Sequence, residues 1–300
     1  MNNQFITRKG SAIKAIARHL LEKKVDQRLD KVSNLAKLYG FSVGYATEAI
    51  HELEAQRAVV LSKQGRNGTL ISDIDYTMLM KIADIGTVVC AMPLPYTKHY
   101  EGLAGGLKKQ VTKFPFYFAH MRGASVRSEC LENQTYQMAI MSKLSAIPLE
   151  QKGEIKIALS LGQESYTRKH VLISREDAKT PIQRIGVDPT SPDQILLTDA
   201  YFKGKSIEII DLPYSECLNA IKTGFIDASI WCPSNVNELI NLGFAHVELN
   251  IPECTYACEA VICIHKETDY LKRMLELQVD VDQLRDYQFR VISGEIIPSY

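Results

Sequence analysis

Between residues 11 and 24, apolar side chains recur at intervals of three and four. Ile13, Ile16, Ala17, Leu20 and Leu21 fall on one face, and Lys14, Arg18, Lys23 and Lys24 on the other. That period belongs to an amphipathic helix. Residues 32–55 repeat it in two shorter pieces. Leu35, Ala36 and Leu38 share a face, and Gly40 follows, where the first piece must stop and the backbone can turn left-handed. Ser42 can cap the second helix by accepting from a free N–H of its first turn. Ala46, Ala49, Ile50 and Leu53 form that helix's buried face, and the two alanines allow close approach. Two helices joined by a tight turn read as a helix-turn-helix. Val59, Val60 and Leu61 then read as a strand, with Leu70 and Ile71 as its partner. The intervening Gln64-Gly65-Arg66-Asn67-Gly68-Thr69 supplies the turn, with Lys63 and Arg66 as cations near its tip. A helix-turn-helix with a basic hairpin predicts a winged helix, one helix in the major groove and the wing on neighbouring phosphate. The plain alternative is a helical hairpin and a β-hairpin used only for packing.

From residue 86 the texture changes to alternating strands and helices. Residues 85–95, 114–123 and 135–146 read as strands, the third leading into a helix or loop, with a helix over 96–111. Residues 154–161 and 169–175 read as strands leading out of this lobe. A second unit follows: strand 183–188, helix 191–202, strand 206–213, helix 214–224, strand 227–233, helix 235–243 and strand 245–250. Residues 256–266 read as a long strand returning to the first lobe, and the remainder as closing helices. Such alternation predicts parallel sheets covered by helices. The fold class is therefore α/β. An N-terminal winged helix-turn-helix over residues 1–75 and a linker over 76–84, which also reads as a connecting helix, precede a two-lobed domain over 85–300. Its first lobe spans about 85–175 and 256–300, and its second about 180–255. Ligands of such sheets bind beyond the carboxyl ends of strands, here in a cleft with a hinge at its base.

Composition narrows the class. The chain has 300 residues, 46% hydrophobic and 23% charged, as in ordinary globular proteins. No run of 18 apolar residues and no signal-peptide core is present, so the expected compartment is cytoplasmic. Seven cysteines, odd in number and irregular in spacing, do not form a disulfide framework. Net charge is zero, but residues 1–75 hold 12 Lys+Arg against 8 Asp+Glu, so the remainder is acidic. A basic head on an acidic body suits an anionic polymer, although a solvated helix face accounts for much of the excess.

Two resemblances join these halves. Leu35-Ala36, Gly40-Phe41-Ser42, Ala49-Ile50…Leu53-Glu54 and Gly65-Arg66-Asn67-Gly68-Thr69 follow the pattern of GntR-superfamily winged helices, with Asn67 as one extra wing residue. Residues 84–300 resemble the type 2 periplasmic-binding-protein fold, also used as the effector domain of LysR-type regulators. The run from Arg184 to Asp193, the strand from Ile207 to Leu212, and Ala220 to Trp231 carry that likeness. Within it Gly224-Phe225-Ile226-Asp227-Ala228 forms the turn before a cleft-bordering strand. Together, at this length, the chain is similar to the YhfZ-type transcription regulators of enteric bacteria. The resemblance implies a ligand-responsive regulator that works on double-stranded DNA. A homodimer is expected, because one winged helix contacts too few bases. One departure stands out. Where the GntR pattern places arginines early in the recognition helix, this chain has Val43 and Thr47. Arginine–guanine readout is not available there. Ser42, Tyr45, Thr47 and His51 are left as candidate DNA contacts, with Lys63, Arg66 and Asn67 in the wing.

For the cleft, Asp188-Pro189-Thr190-Ser191-Pro192 is the best seat for an anion, since Thr190 or Ser191 caps a helix after a strand. A plain N-cap explains the same run. Tyr96 and Thr97 lie in the corresponding turn of the other lobe, Arg122 ends a strand at the same edge, and Ser142 ends the third strand. Trp231, the only tryptophan, is either an aromatic wall or a core indole. These residues point to a small anionic effector. Cys254, Cys258, Cys263 and His265 lack the paired spacing of a zinc site, so no metal is expected. No G-x-S-x-G, P-loop or H-E-x-x-H motif occurs, and neither an enzyme nor a cofactor is expected. An enzyme or solute-binding protein of the same fold, its head reduced to dimerisation, is the rival class. Gly102 to Gly106 lie within a helix and suit close helix–sheet packing better than phosphate binding.

Overall fold

The computed structural model describes residues 7–177, 181–233 and 236–300. The chain forms two compact units. One comprises residues up to 88 with 111–116 and 269–278, and the other residues 89–110, 117–268 and 279–300.

The first unit opens with α1 (Arg8–Leu21), α2 (Val32–Tyr39) and α3 (Val43–Ala55). Ile16, Ala17, Leu20 and Leu21 of α1 are buried, as their period requires. Gly40 ends α2 at φ 70°, and the Ser42 hydroxyl accepts from Tyr45 N at 3.2 Å to start α3. Ala46, Ala49, Ile50 and Leu53 are buried as expected. Leu38 is not on the inner face. It is 64% exposed, because an eight-residue helix ending at Gly40 buries only Leu35 and Ala36. The hairpin is β1 (Val59–Lys63) and β2 (Thr69–Ile74), with Lys63 opposite Thr69 and a 3₁₀ turn over Gly65–Asn67. Residues 26–29 extend it, with Leu29 N donating to Thr69 O and Ile71 N to Gln27 O, both at 2.9 Å. The wing is thus tied to the loop between α1 and α2. Of the two readings of the connecting segment, linker or helix, the structure has the helix, α4 (Tyr76–Ile82), capped by Asp75 and packed on α1 through buried Leu79 and Met80.

The second unit holds two mixed sheets. Its elements begin with β3 (Val88–Met92), α5 (Lys98–Gln110), β4 (Phe116–His120), α6 (Ala124–Glu132), β5 (Met138–Ser142), α7 (Lys143–Gln151) and β6 (Ile155–Ser160). They continue with β7 (Val171–Arg175), β8 (Arg184–Val187), α8 (Pro192–Tyr201), β9 (Glu208–Asp211), α9 (Cys217–Thr223), β10 (Ala228–Trp231), α10 (Val236–Asn241) and β11 (Phe244–Glu248). Then come α11 (Glu253–Ala257), β12 (Ala260–His265) and α13 (Val281–Ile292), while α12 (Asp269–Glu276), between the last two in the chain, falls in the first unit. The first sheet has the order β4-β3-β5-β12-β6, and the second β11-β7-β10-β8-β9. Pairs β3–β5, β8–β9 and β8–β10 are parallel, as the alternation predicts. The strands next to the crossovers are antiparallel: β12 to β5 and β6, and β7 to β10 and β11.

Period-two burial shows why the second sheet is covered twice. Leu172 packs with Ile185, Ile230 and Leu197 of α8, while Val171 and Ile173 pack with Ile221 of α9 and Phe244. Three boundaries differ from the pattern-based reading. Strand β7 is hydrogen-bonded into the second sheet, not the first lobe. Residues 253–257 are helical, so the returning strand starts only at Ala260. Helix α12 belongs with the first unit, where Leu271, Met274 and Leu275 are buried and it packs on α1. Helix α5 packs through its glycines on α13, another helix and not a sheet; a Cβ on Gly102 would lie 3.0 Å from the Gln288 Cα.

Candidate functional site

The second unit encloses a cavity of about 420 Å³. Its walls are the turns beyond strand ends. The β3–α5 turn gives Tyr96 and Thr97, the β4–α6 turn Arg122 and Gly123, the β8–α8 turn Asp188, Thr190 and Ser191, and the end of β10 Trp231 and Cys232. Tyr100, Tyr166, His170, Asp193, Gln194 and Tyr214 complete much of the lining.

Asp188 organises the β8–α8 turn. Its carboxylate accepts from Thr190 N at 2.9 Å, Thr190 Oγ1 at 2.7 Å and Tyr214 N at 2.9 Å, and pairs with Arg122 at 3.1 Å. Burial pushes this carboxyl up. The bonds from Tyr214 and Thr190 and the Arg122 charge outweigh that, and the net position is below the usual carboxylate range. The donors expected to greet an external anion, Thr190 and Arg122, therefore already serve an internal one. Ser191 is the N-cap of α8, accepting from Gln194 N at 3.4 Å. Gly123, at φ 76°, approaches so closely that a Cβ there would lie 2.8 Å from Thr190 O. This glycine is where the two lobes meet.

Asp193 makes the second bridge between lobes. It accepts from the Ser142 and Ser145 hydroxyls at the start of α7. Burial raises its pKa despite those bonds and the nearby Arg127 charge. Ser142 itself does not line the cavity; its hydroxyl caps α7 and serves Asp193. Trp231 does line it, its ring stacked on Tyr214 at 4.0 Å and 8°. His170, pushed down to about 4 by burial, is neutral at physiological pH.

Arg127 is the lining residue that pattern reading missed. It lies on α6, a helix that no apolar period announces, because the buried face is Ala124, Arg127, Ser128 and Leu131. Nε donates to Ile140 O at 2.9 Å, Nη1 to Met121 O at 3.0 Å, and Nη2 to the Tyr166 hydroxyl at 3.2 Å.

In the first unit, α3 exposes Ser42, Val43, Tyr45, Glu48 and His51. The Thr47 hydroxyl donates to Val43 O at 2.8 Å. Helix α3 carries Glu48, Glu52 and Glu54 and no lysine or arginine. Three of the four Lys and Arg residues of α1 are engaged internally: Lys9 with Glu48 at 3.5 Å, Lys14 with Asp84 at 2.5 Å, and Arg18 with Ala83 O at 3.3 Å. Lys63, Arg66 and Asn67 are exposed at the wing, and neither cation forms an ion pair among the described residues. All seven cysteines are free, and no cluster of three His, Cys, Asp or Glu placed to hold a metal occurs among the described residues. Cys263 lies in the sheet core, while Cys254 and Cys258 are on and just after α11. No helix among them is long and apolar enough to cross a membrane.

A helix-turn-helix head and a two-sheet body with a walled cavity define a class: a helix-turn-helix protein whose α/β body has the fold of periplasmic binding proteins. Family models agree with both halves, a helix-turn-helix domain over residues 24–71 and the YhfZ C-terminal domain over 75–300. The chain belongs to the YhfZ family. It is 42% identical over 302 residues to the Uncharacterized protein YhfZ of Escherichia coli (strain K12), covering all of both chains. The crystal structure of YhfZ from Shigella flexneri matches with TM-score 0.67 and 43% identity over 75% of this chain and 97% of that one. More distant is an ancestral arginine-binding protein bound to arginine, at TM-score 0.52 and 13% identity over 70% of this chain and 97% of that one. That likeness concerns the fold alone.

Proposed function

We propose that the chain is a transcription regulator with a GntR-like head that binds double-stranded DNA as a homodimer, controlled by a small anionic effector in the body's cavity. The carrying observation is the pairing of a winged helix-turn-helix in one unit with a walled cavity between two sheets in the other. Ser42, Tyr45, Thr47 and His51 face the major groove in this reading, and Lys63, Arg66 and Asn67 meet phosphate in the wing. Tyr96, Thr97, Arg122, Thr190, Ser191 and Trp231 contact the effector, and Ser142 acts through Asp193. Effector binding shifts DNA affinity by no more than its preference between lobe states.

The test is DNA capture by the purified full chain from fragments of its own gene neighbourhood, at low salt, with cell extract as the source of effector. Retention of a discrete fragment that extract alters supports the proposal, and no retained fragment sinks it. The three glutamates and missing cations of α3 favour one rival, in which the head only dimerises and the body is a solute-binding protein or an enzyme. That rival predicts a dimer whose assembly, and not DNA retention, depends on the head.

A further inference from the structure

We propose that Arg127 is the anion-binding group of the cavity, and that its ligand is an organic monocarboxylate with a flat or apolar body. This rests on the body being an effector-binding domain. Arg127 is 3% exposed yet lines the cavity. The three acceptors that hold its guanidinium, two backbone carbonyls and a phenol, are all neutral. Among the described residues no carboxylate lies within ion-pair distance of it, whereas Arg122 beside it has Asp188. A guanidinium carries five N–H groups, and two remain here, the number a carboxylate takes in a forked pair. A buried cation with no carboxylate in ion-pair contact, and only the more distant Asp193 to feel its charge, is costly unless something else approaches it.

The charge inventory sets the ligand's valence. His170 is neutral, Asp188 is matched by Arg122, and Asp193 is held by two hydroxyls. Asp193 already feels the Arg127 charge without an ion pair, so the cavity takes one further negative charge at most, and a dianionic phosphate would bring a second with no partner. The wall sets the body. The stacked rings of Trp231 and Tyr214 offer a flat face, and Leu218 and Leu239 continue it as apolar surface.

The full chain is titrated by calorimetry and thermal shift with benzoate, phenylacetate and hexanoate, each beside its carboxamide and its phosphonate. The expected result is a preference for carboxylate over both partners of roughly tenfold or more. The comparison needs no variant, so it stands even where substitution at a buried arginine prevents folding. In folded R127K part of the preference survives, and in folded R127Q it is lost. A merely structural arginine would change stability but leave that ratio unmoved. Equal binding of carboxylate and carboxamide, tighter binding of phosphonate, or no response to any carboxylate at millimolar concentration overturns the assignment. If extract still alters DNA retention in that case, only the ligand class has failed. If carboxylates bind selectively but no DNA is retained, the regulator reading has failed and Arg127 stands.

Discussion

Burial raises the pKa of two aspartates close to each other in sequence, yet they end on opposite sides of the usual range. Asp188 gathers four donors and ends below the usual carboxylate range; Asp193 has two hydroxyls and ends above it. The difference is the number of donors set against desolvation. Removing the Asp188 carboxylate would strand the Thr190 and Tyr214 N–H groups and the Arg122 charge together. D188A is therefore expected to cost about 3–5 kcal/mol of body stability, measured by denaturant unfolding. A loss within about 0.5 kcal/mol would mean that water replaces the carboxylate. For Asp193 the sign runs the other way. Its folded pKa lies above the unfolded value of 3.8, so its contribution is fully present below 3.8 and lost as pH rises through the raised folded pKa. D193N keeps an oxygen for both serine hydroxyls and has no proton to lose. Its midpoint should exceed that of the parent at neutral pH, with the gap closing on acidification. A gap that widens in acid would refute the raised pKa.

At the scale of elements, α5 and α13 meet through glycine. A Cβ at Gly102 would lie 2.8 Å from Gln288 Cγ and 3.0 Å from its Cα, and Gln288 is fixed by bonds to His99 O and Ser165 O. G102A is expected to destabilise by about 1–3 kcal/mol, because backbone cannot yield as a side-chain tip can. G106A should cost less, since the nearest atom there is the end of Leu284; thermal unfolding of the pair orders them. The wing makes a different prediction. If Lys63 and Arg66 each meet a phosphate, replacing both by alanine lowers the slope of log affinity against log salt by about 1.8, and an unchanged slope removes the wing from the contact. Much of this was legible in sequence. The periodic faces of α1 and α3, the Gly40 stop and the Ser42 cap all follow local rules. What was not legible has identifiable causes. Helix α6 hides because its inner face includes Arg127 and Ser128, so the period that marks other helices is broken where the cavity wall is built. The run at Asp188 was recognised, but its donors are consumed by its own carboxylate, which only the folded turn reveals. The placement of β7 and α12 depends on long-range pairing, on which the local pattern is silent.

For the molecule as a whole, the question is how a cavity in the body could govern the head, and Gly123 offers a handle. It joins β4 to α6 at φ 76°, pressed against Thr190 O, with Arg122–Asp188 beside it. An alanine here meets two obstacles at once. The left-handed backbone disfavours it, and its Cβ would fall 2.8 Å from a carbonyl that the Asp188 turn holds in place. The obstacle exists only while the lobes touch. G123A therefore selects against the closed arrangement and leaves each sheet's core intact. Amides of Thr190 and Tyr214, bonded to Asp188, should then exchange hydrogen faster than in the parent. If effector acts by favouring closure, the same substitution must weaken effector binding and, by reciprocity, shrink the effector's influence on DNA affinity. Baseline DNA retention without effector should persist, since nothing in the head is altered. The decisive measurement is the DNA response of G123A to cell extract. A blunted response with faster exchange at Thr190 supports coupling through lobe closure. A full response with the same faster exchange would show that closure at this contact is not what the head senses.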